Sequence, residues 1–228
     1  MKTLFASAAA VALLSIAPSA MAQTSTPASA PEACRPTDPC YDVTWTKSID
    51  SNQSTNAVLN SRIDLNVGRA QDAVVAASSS IGNNFNAQGR SSEYVNLNQN
   101  FTGDAFARVN ANIHEAAGDV DLSATAIANN ATLNIVQAGH INLNQSLVND
   151  PSAYINANLG QVAGELKVAA TAGGNMANIT SDMGSIAANQ RLQHAPINAI
   201  STVNVGDVAG RIDVASTAIG NSLTIRGF

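Results

Sequence analysis

The sequence predicts an all-β chain, a repetitive β-solenoid of stacked strand-turn-strand rungs in four repeats of about 46 residues. Three observations point there. First, Asn83, Asn129, Asn175 and Asn221 recur at one fixed interval. Second, each closes a similar alternating segment: AVVAASSSIGN, DVDLSATAIANN, ELKVAATAGGN and RIDVASTAIGN. In the second of these, Val120, Leu122, Ala124, Ala126 and Ala128 take every other position, the period of a strand with one buried face. Third, aromatic residues are 4% and charged residues 12% of the chain, while Ala, Asn, Ser, Thr and Val dominate. A globular core would normally carry more large apolar side chains, so burial here must come from small residues packed closely and often.

Residues 1–22 read as a signal peptide. Lys2 supplies a positive start, Leu4 to Ile16 an apolar stretch, and Ala20-Met21-Ala22 before Gln23 a small-x-small cleavage site. No later stretch is apolar for long enough to predict a membrane-spanning helix. Residues 23–47 read as a linker rich in Pro, Ser, Thr and Ala, a composition that cannot bury enough surface to order itself. Within it Cys34 and Cys40, the only cysteines, would close a small disulfide loop in an oxidising compartment. Two thiols with no nearby His fall short of a four-ligand metal site.

The repeat domain spans residues 48–228. Each unit reads as four short strands. The first carries an apolar-x-apolar-x-Gln pattern: Ile49-Ser51-Gln53, Val95-Leu97-Gln99, Ile141-Leu143-Gln145 and Ile186-Ala188-Gln190. The second has an apolar face, as in Ala107-Val109-Ala111-Ile113, and on its other face Asn66, Asn112, Asn158 and Asn204. A Gly- and Ala-rich turn leads to the third strand, the one closed by the recurring asparagines. A short fourth strand, such as Ala131-Leu133-Ile135, ends the unit. Two strands make one rung in this reading, so eight rungs about 4.8 Å apart would form a rod on the order of 40 Å long. The chain offers no obvious polar cap after Leu223-Thr224-Ile225, and an open end predicts end-to-end assembly.

A Gln on the apolar face of a strand would be destabilising alone. In a stack, each side-chain amide can bond the identical amide one repeat away and satisfy donor and acceptor together. Gln53, Gln99, Gln145 and Gln190 are expected to form an inward ladder, and Asn66, Asn112, Asn158 and Asn204 an outer one. The column Asn83, Asn129, Asn175 and Asn221 keeps the same step.

The formal charge of −5 argues against nucleic acid or an anionic membrane surface as partner. His114, His140 and His194 do not recur with the repeat and read as solvated loop residues. The columns Asp121, Lys167, Asp213 and Asp119, Glu165, Arg211 mix signs, unlike the converging carboxylates of a polysaccharide-cleaving site. No catalytic set, cofactor motif or metal constellation is visible, and no enzyme is expected.

The exported start, the small-residue strands and the in-register Gln and Asn resemble curlin-type extracellular amyloid subunits. The longer unit and the AxAIGN strand look more like holdfast-anchor proteins of the HfaD type from stalked bacteria. The resemblance covers about residues 48–228. It implies a secreted protein, associated with the outer-membrane surface, that a curli-like export machinery delivers and that holds adhesive material to the envelope. Its partners would be other copies of itself, other surface anchor proteins or an adhesive polysaccharide. The alternative is a monomeric binding module for a surface polysaccharide or protein, with Thr125, Thr171, Thr217 and Asn129, Asn175, Asn221 as its binding face.

Overall fold

A computed structural model describes residues 46–182, 184–193 and 195–227. The expected signal peptide, linker and Cys34–Cys40 loop lie outside the described residues. The chain is all-β, with strands β1 (Thr46–Thr55), β2 (Leu59–Ala70), β3 (Val74–Phe101), β4 (Ala105–Ala116), β5 (Val120–Val148), β6 (Pro151–Val162), β7 (Leu166–Thr180), β8 (Ser185–Gln193), β9 (Asn198–Val208) and β10 (Ile212–Arg226). Small and β-branched residues alternate with polar ones along each strand, which suits a pleated, half-buried ribbon.

The strands form two sheets. One runs β1-β3-β5-β7-β10, with β8 also paired to β5; the other runs β2-β4-β6-β9. Every pairing is parallel. Each residue meets its counterpart one full repeat away, as in Asn83↔Asn129, Asn112↔Asn158 and Gln99↔Gln145. A single turn of the chain is therefore the whole repeat of about 46 residues, not half of it. The expected eight rungs are replaced by four broader turns, stacked over roughly 20 Å rather than 40 Å. The reason lies in the side chains. The two halves of a repeat have different apolar patterns, and only whole repeats place identical residues in contact. In the last repeat the step shortens by one, with Gln145 on Gln190, and the frame is restored by Ser152↔Asn198.

The four separate strands expected per repeat are not all separate. The third and fourth strands run on into the first strand of the next turn, giving the 28 residues of β3 and the 29 of β5. Within them the inward phase shifts. Ala124, Ala126 and Ala128 point inward, then Asn129 does too, and the pattern continues through Ala131, Leu133 and Ile135. The residue at this corner is Gly82, Ala128, Gly174 or Gly220. A Cβ on Gly82 would lie 2.5 Å from both the Ala128 carbonyl and the Phe101 ring, and one on Gly174 2.4 Å from the Gly220 carbonyl. The bend is tight, and only the smallest residues fit it.

The corner divides the interior into two apolar clusters. The larger lies between the four-stranded sheet and the first part of β3, β5 and β7, around Val109, Ile113, Leu122, Ile155 and Leu166. The smaller lies between the second part of those strands and β1, the end of β3 and of β5, and β8, around Leu97, Leu133, Ile135, Leu143 and Ile179. In sequence Gln99 falls between Leu97 of one cluster and Phe101 of the other, and Asn129 between Ala128 and Ala131. The polar columns thus sit where the two clusters meet.

Candidate functional site

At this waist lie two columns of amides, buried in the interior turns. Gln99 Nε2 donates to Gln53 Oε1, Gln145 Nε2 to Gln99 Oε1 and Gln190 Nε2 to Gln145 Oε1, each at 2.7 Å. The second Nε2 hydrogen crosses the interior to a backbone carbonyl: Gln53 to Asn84, Gln99 to Asn130, Gln145 to Met176 and Gln190 to Ser222, at 2.8–3.0 Å. Gln99 is 1% and Gln145 2% exposed.

The second column is built the same way with the opposite sense. Asn83 Nδ2 donates to Asn129 Oδ1 at 2.8 Å, Asn129 to Asn175 at 2.7 Å, and Asn175 to Asn221 at 2.9 Å. Their other hydrogens go to the carbonyls of Asn100, Ser146 and Arg191, each at 2.9 Å. At the N-terminal end the Thr55 hydroxyl donates to Asn83 Oδ1 at 2.7 Å. Donation in the Gln column therefore runs toward the N-terminal turn, and in the Asn column toward the C-terminal turn. Two parallel amide columns of one sense would add their dipoles, and opposed ones partly cancel. Among the described residues no buried side-chain nitrogen or oxygen lacks a partner. The carbonyl acceptors and the opposed senses were not readable from sequence, because they depend on which strand faces which across the interior.

The outer column behaves differently. Asn66, Asn112, Asn158 and Asn204 are all exposed. Asn112 donates to Asn66 at 3.3 Å and Asn204 to Asn158 at 2.9 Å, so hydrogen bonds join this column in two pairs. Asn83, Asn129 and Asn175 are by contrast buried, Asn129 and Asn175 completely. They cannot face a ligand, so the expected binding face is corrected at Asn129 and Asn175, while Asn221 is exposed. Burial at these positions follows from the corner, which turns the asparagine inward.

Ser78, Ser80, Ser92 and Ser152 are buried as well, while most charged groups lie on outer faces. In the first turn Asp50 and Asp64 stand where the next two turns carry asparagine. Hydrogen bonds from Asn96 and Asn110 respectively, 2.7 and 2.6 Å long, are the main cause holding each carboxyl below its usual range. Lys167 pairs with Glu165 at 3.0 Å, which raises its pKa, and Arg211 pairs with Asp213 at 2.8 Å. Asp150 is pushed up by burial and then by Asp104. His114 lies in β4 and His140 in β5, exposed strand positions rather than the expected loops; His194 is outside the described residues. His140 stacks on Tyr94, with centroids 5.4 Å apart, and hydrogen-bonds the Ser185 hydroxyl. On the four-stranded sheet Asn60, Arg62, Phe106, Arg108 and Tyr154 line a shallow cleft, with the Arg108 guanidinium 5.5 Å from the Tyr154 ring centroid. That cluster went unnoticed in the sequence because its members belong to three different repeats. Among the described residues no three His, Cys, Asp or Glu side chains gather as a metal site would need.

A family model described as holdfast attachment protein D, HfaD, matches residues 41–227. The chain belongs to the HfaD family. No curated protein and no solved structure matches it. The family match spans every described strand of this HfaD chain, so the repeats, both amide columns and the cleft all fall within it.

Proposed function

We propose that the chain is a structural anchor of the cell surface: a β-solenoid of four turns that holds adhesive holdfast material to the envelope and assembles amyloid-like through stacked rungs. Membership of a holdfast attachment family supports the surface role. The observation that carries the mechanical part is the pair of continuous amide columns that run through all four turns and are buried in the interior ones. Each ties every turn to the next from inside, in addition to the backbone ladders, and such cross-linking suits a body that bears load rather than one that opens around a substrate. Other copies of the chain, other surface anchor proteins and an adhesive polysaccharide are its proposed partners, with outer-membrane export as its route.

Deleting the gene should release adhesive matrix from cells into the medium while matrix synthesis continues. Cells that stay attached as firmly as the parent would refute the anchor role.

A second reading rests on the cleft at Arg62, Phe106, Arg108 and Tyr154. Arg62 is paired with Asp64 at 2.7 Å, and the Arg108 guanidinium beside two aromatic rings suits a carboxylated sugar polymer, through ion pairing and ring stacking. Purified monomer should then retain an acidic polysaccharide, and Tyr154→Ala with Arg108→Ala should lose it. Equal retention by the double variant would dismiss this reading.

A further inference from the structure

The C-terminal turn differs from the interior turns in one respect. Ile212 and Val214 are 49% exposed, whereas their counterparts one turn inward, Leu166 and Val168, are 0% and 2%. Ile225 is 50% exposed above a fully buried Ile179. The amide columns also stop unevenly here. Among the described residues none donates to Gln190 Oε1, whereas each earlier oxygen of this column accepts from the following turn. Among the described residues Asn221 has no following turn to donate to. Where Asn83, Asn129 and Asn175 donate to the following turn, its Nδ2 folds back to the Gln190 carbonyl at 3.2 Å.

The N-terminal turn ends in the complementary way. Gln53 Nε2 bonds the Asn84 carbonyl and has a second hydrogen directed away from the stack. Asn83 Oδ1 accepts from Thr55 and keeps a second lone pair. We propose that the C-terminal end of one chain seats the N-terminal end of a second copy in unbroken register, so that both amide columns continue across the junction. This rests on the assembly proposed above and adds its direction and contacts.

In that register Gln53 of the incoming copy donates to Gln190 Oε1, and Asn221 donates to the incoming Asn83 Oδ1. Because the two columns run in opposite senses, a head-to-head or tail-to-tail junction sets donors against donors in one column and acceptors against acceptors in the other. When each column stays in line with itself across the junction, head-to-tail contact is the one that satisfies both. The outer charges agree. Arg69 bonds Glu115 one turn on, at 3.2 Å, and the last member of that column is Asp207. The incoming Arg69 would therefore meet an opposite charge. Among the other charged residues described in the terminal turns, Asp50 would face Ala187, Asp64 Thr202 and Arg62 Ile200, while Arg191, Arg211, Asp213 and Arg226 would face Ser54, Ala73, Val75 and Gln88. No like charges oppose. The apolar columns also fit, with Ile212 and Val214 beneath Val74 and Ala76.

The junction is tested by cross-linking the full secreted chain with Cys34 and Cys40 replaced by serine. Asn66→Cys and Asn204→Cys lie in one exposed column, three turns apart within a chain, on the order of 14 Å, and too far to bridge. Across the junction they would be adjacent, about 4.8 Å apart, within disulfide range. Oxidising a mixture of the two single variants should give a heterodimer, and oxidising the double variant a ladder of multimers. Each single variant alone should give no dimer. Val214→Lys with Ile225→Lys, already exposed positions, should leave circular dichroism unchanged and raise the concentration needed for assembly at least tenfold. Homodimers of either single variant would overturn the direction. Fibres that form without the heterodimer would overturn this junction while leaving self-assembly intact. A chain that stays monomeric at high concentration would overturn both. None of these outcomes bears on whether gene deletion sheds the matrix, which tests the anchor role separately.

Discussion

Replacing Gln145 with Met isolates what the inner amide column contributes. The two side chains are similar in length and volume, so no large cavity opens. Three hydrogen bonds disappear: the donation to Gln99 Oε1, the donation to the Met176 carbonyl and the acceptance from Gln190. Gln99 is 1% exposed, so its carboxamide oxygen has no water to turn to. One fully buried orphaned acceptor and one weakened donor together should destabilise the fold by about 2–4 kcal/mol. With a guanidinium slope of roughly 4 kcal/mol per molar, the unfolding midpoint should fall by about 0.5–1 M. Gln190→Met, at the half-buried end where nothing donates to its oxygen, should lose less. Converting all four glutamines to Met removes both partners of every ladder bond, and it should cost less than the sum of the four single changes. A Gln145→Met midpoint within about 0.1 M of the parent would refute the claim that these bonds hold the turns together.

Three further outcomes follow from the packing. Gly103→Ala should destabilise by more than about 2 kcal/mol, since a Cβ there would lie 1.7 Å from the Ala57 carbonyl; Gly68→Ala, with nothing within 4 Å, should be neutral or slightly stabilising in the same thermal melt. Phe101→Ala should cost about 3–5 kcal/mol by chemical denaturation, because the ring is 0% exposed and fills the corner beside Gly82. Asp150→Asn should stabilise the chain at neutral pH. Burial and Asp104 raise the folded-state pKa of Asp150 above its unfolded value. The native state thus gains stability when this group is protonated and loses it as pH rises through the raised pKa. The advantage of Asn should shrink as pH falls toward the ordinary carboxyl range and vanish below it, in melts recorded across that interval.

The repeat, the all-β class and the identities within each column were legible in the sequence, because in-register stacking requires equal spacing between like residues. Asn83↔Asn129 and Gln99↔Gln145 pair at the interval that separates them in the chain. The width of one turn was not legible. Two strands and four strands both divide the repeat evenly, and local alternation is the same in either case. The choice is made by contacts between residues far apart in sequence, such as the Ser78 hydroxyl on the Ser61 carbonyl and Gln53 on Asn84.

The corner at Gly82, Ala128, Gly174 and Gly220 was hidden for a related reason. Strict alternation places Asn129 on the outer face with Thr125 and Ile127. A small residue just before it lets the strand shift phase and turn that asparagine inward. Sequence by itself determined which residues share a column, since a column of like residues needs only identity at a fixed step. Tertiary structure decided which columns are buried, which carbonyls their second hydrogens reach, and that the two amide columns run in opposite senses. Those properties belong to the facing of one strand on another across the interior, and one-dimensional periodicity carries no record of it.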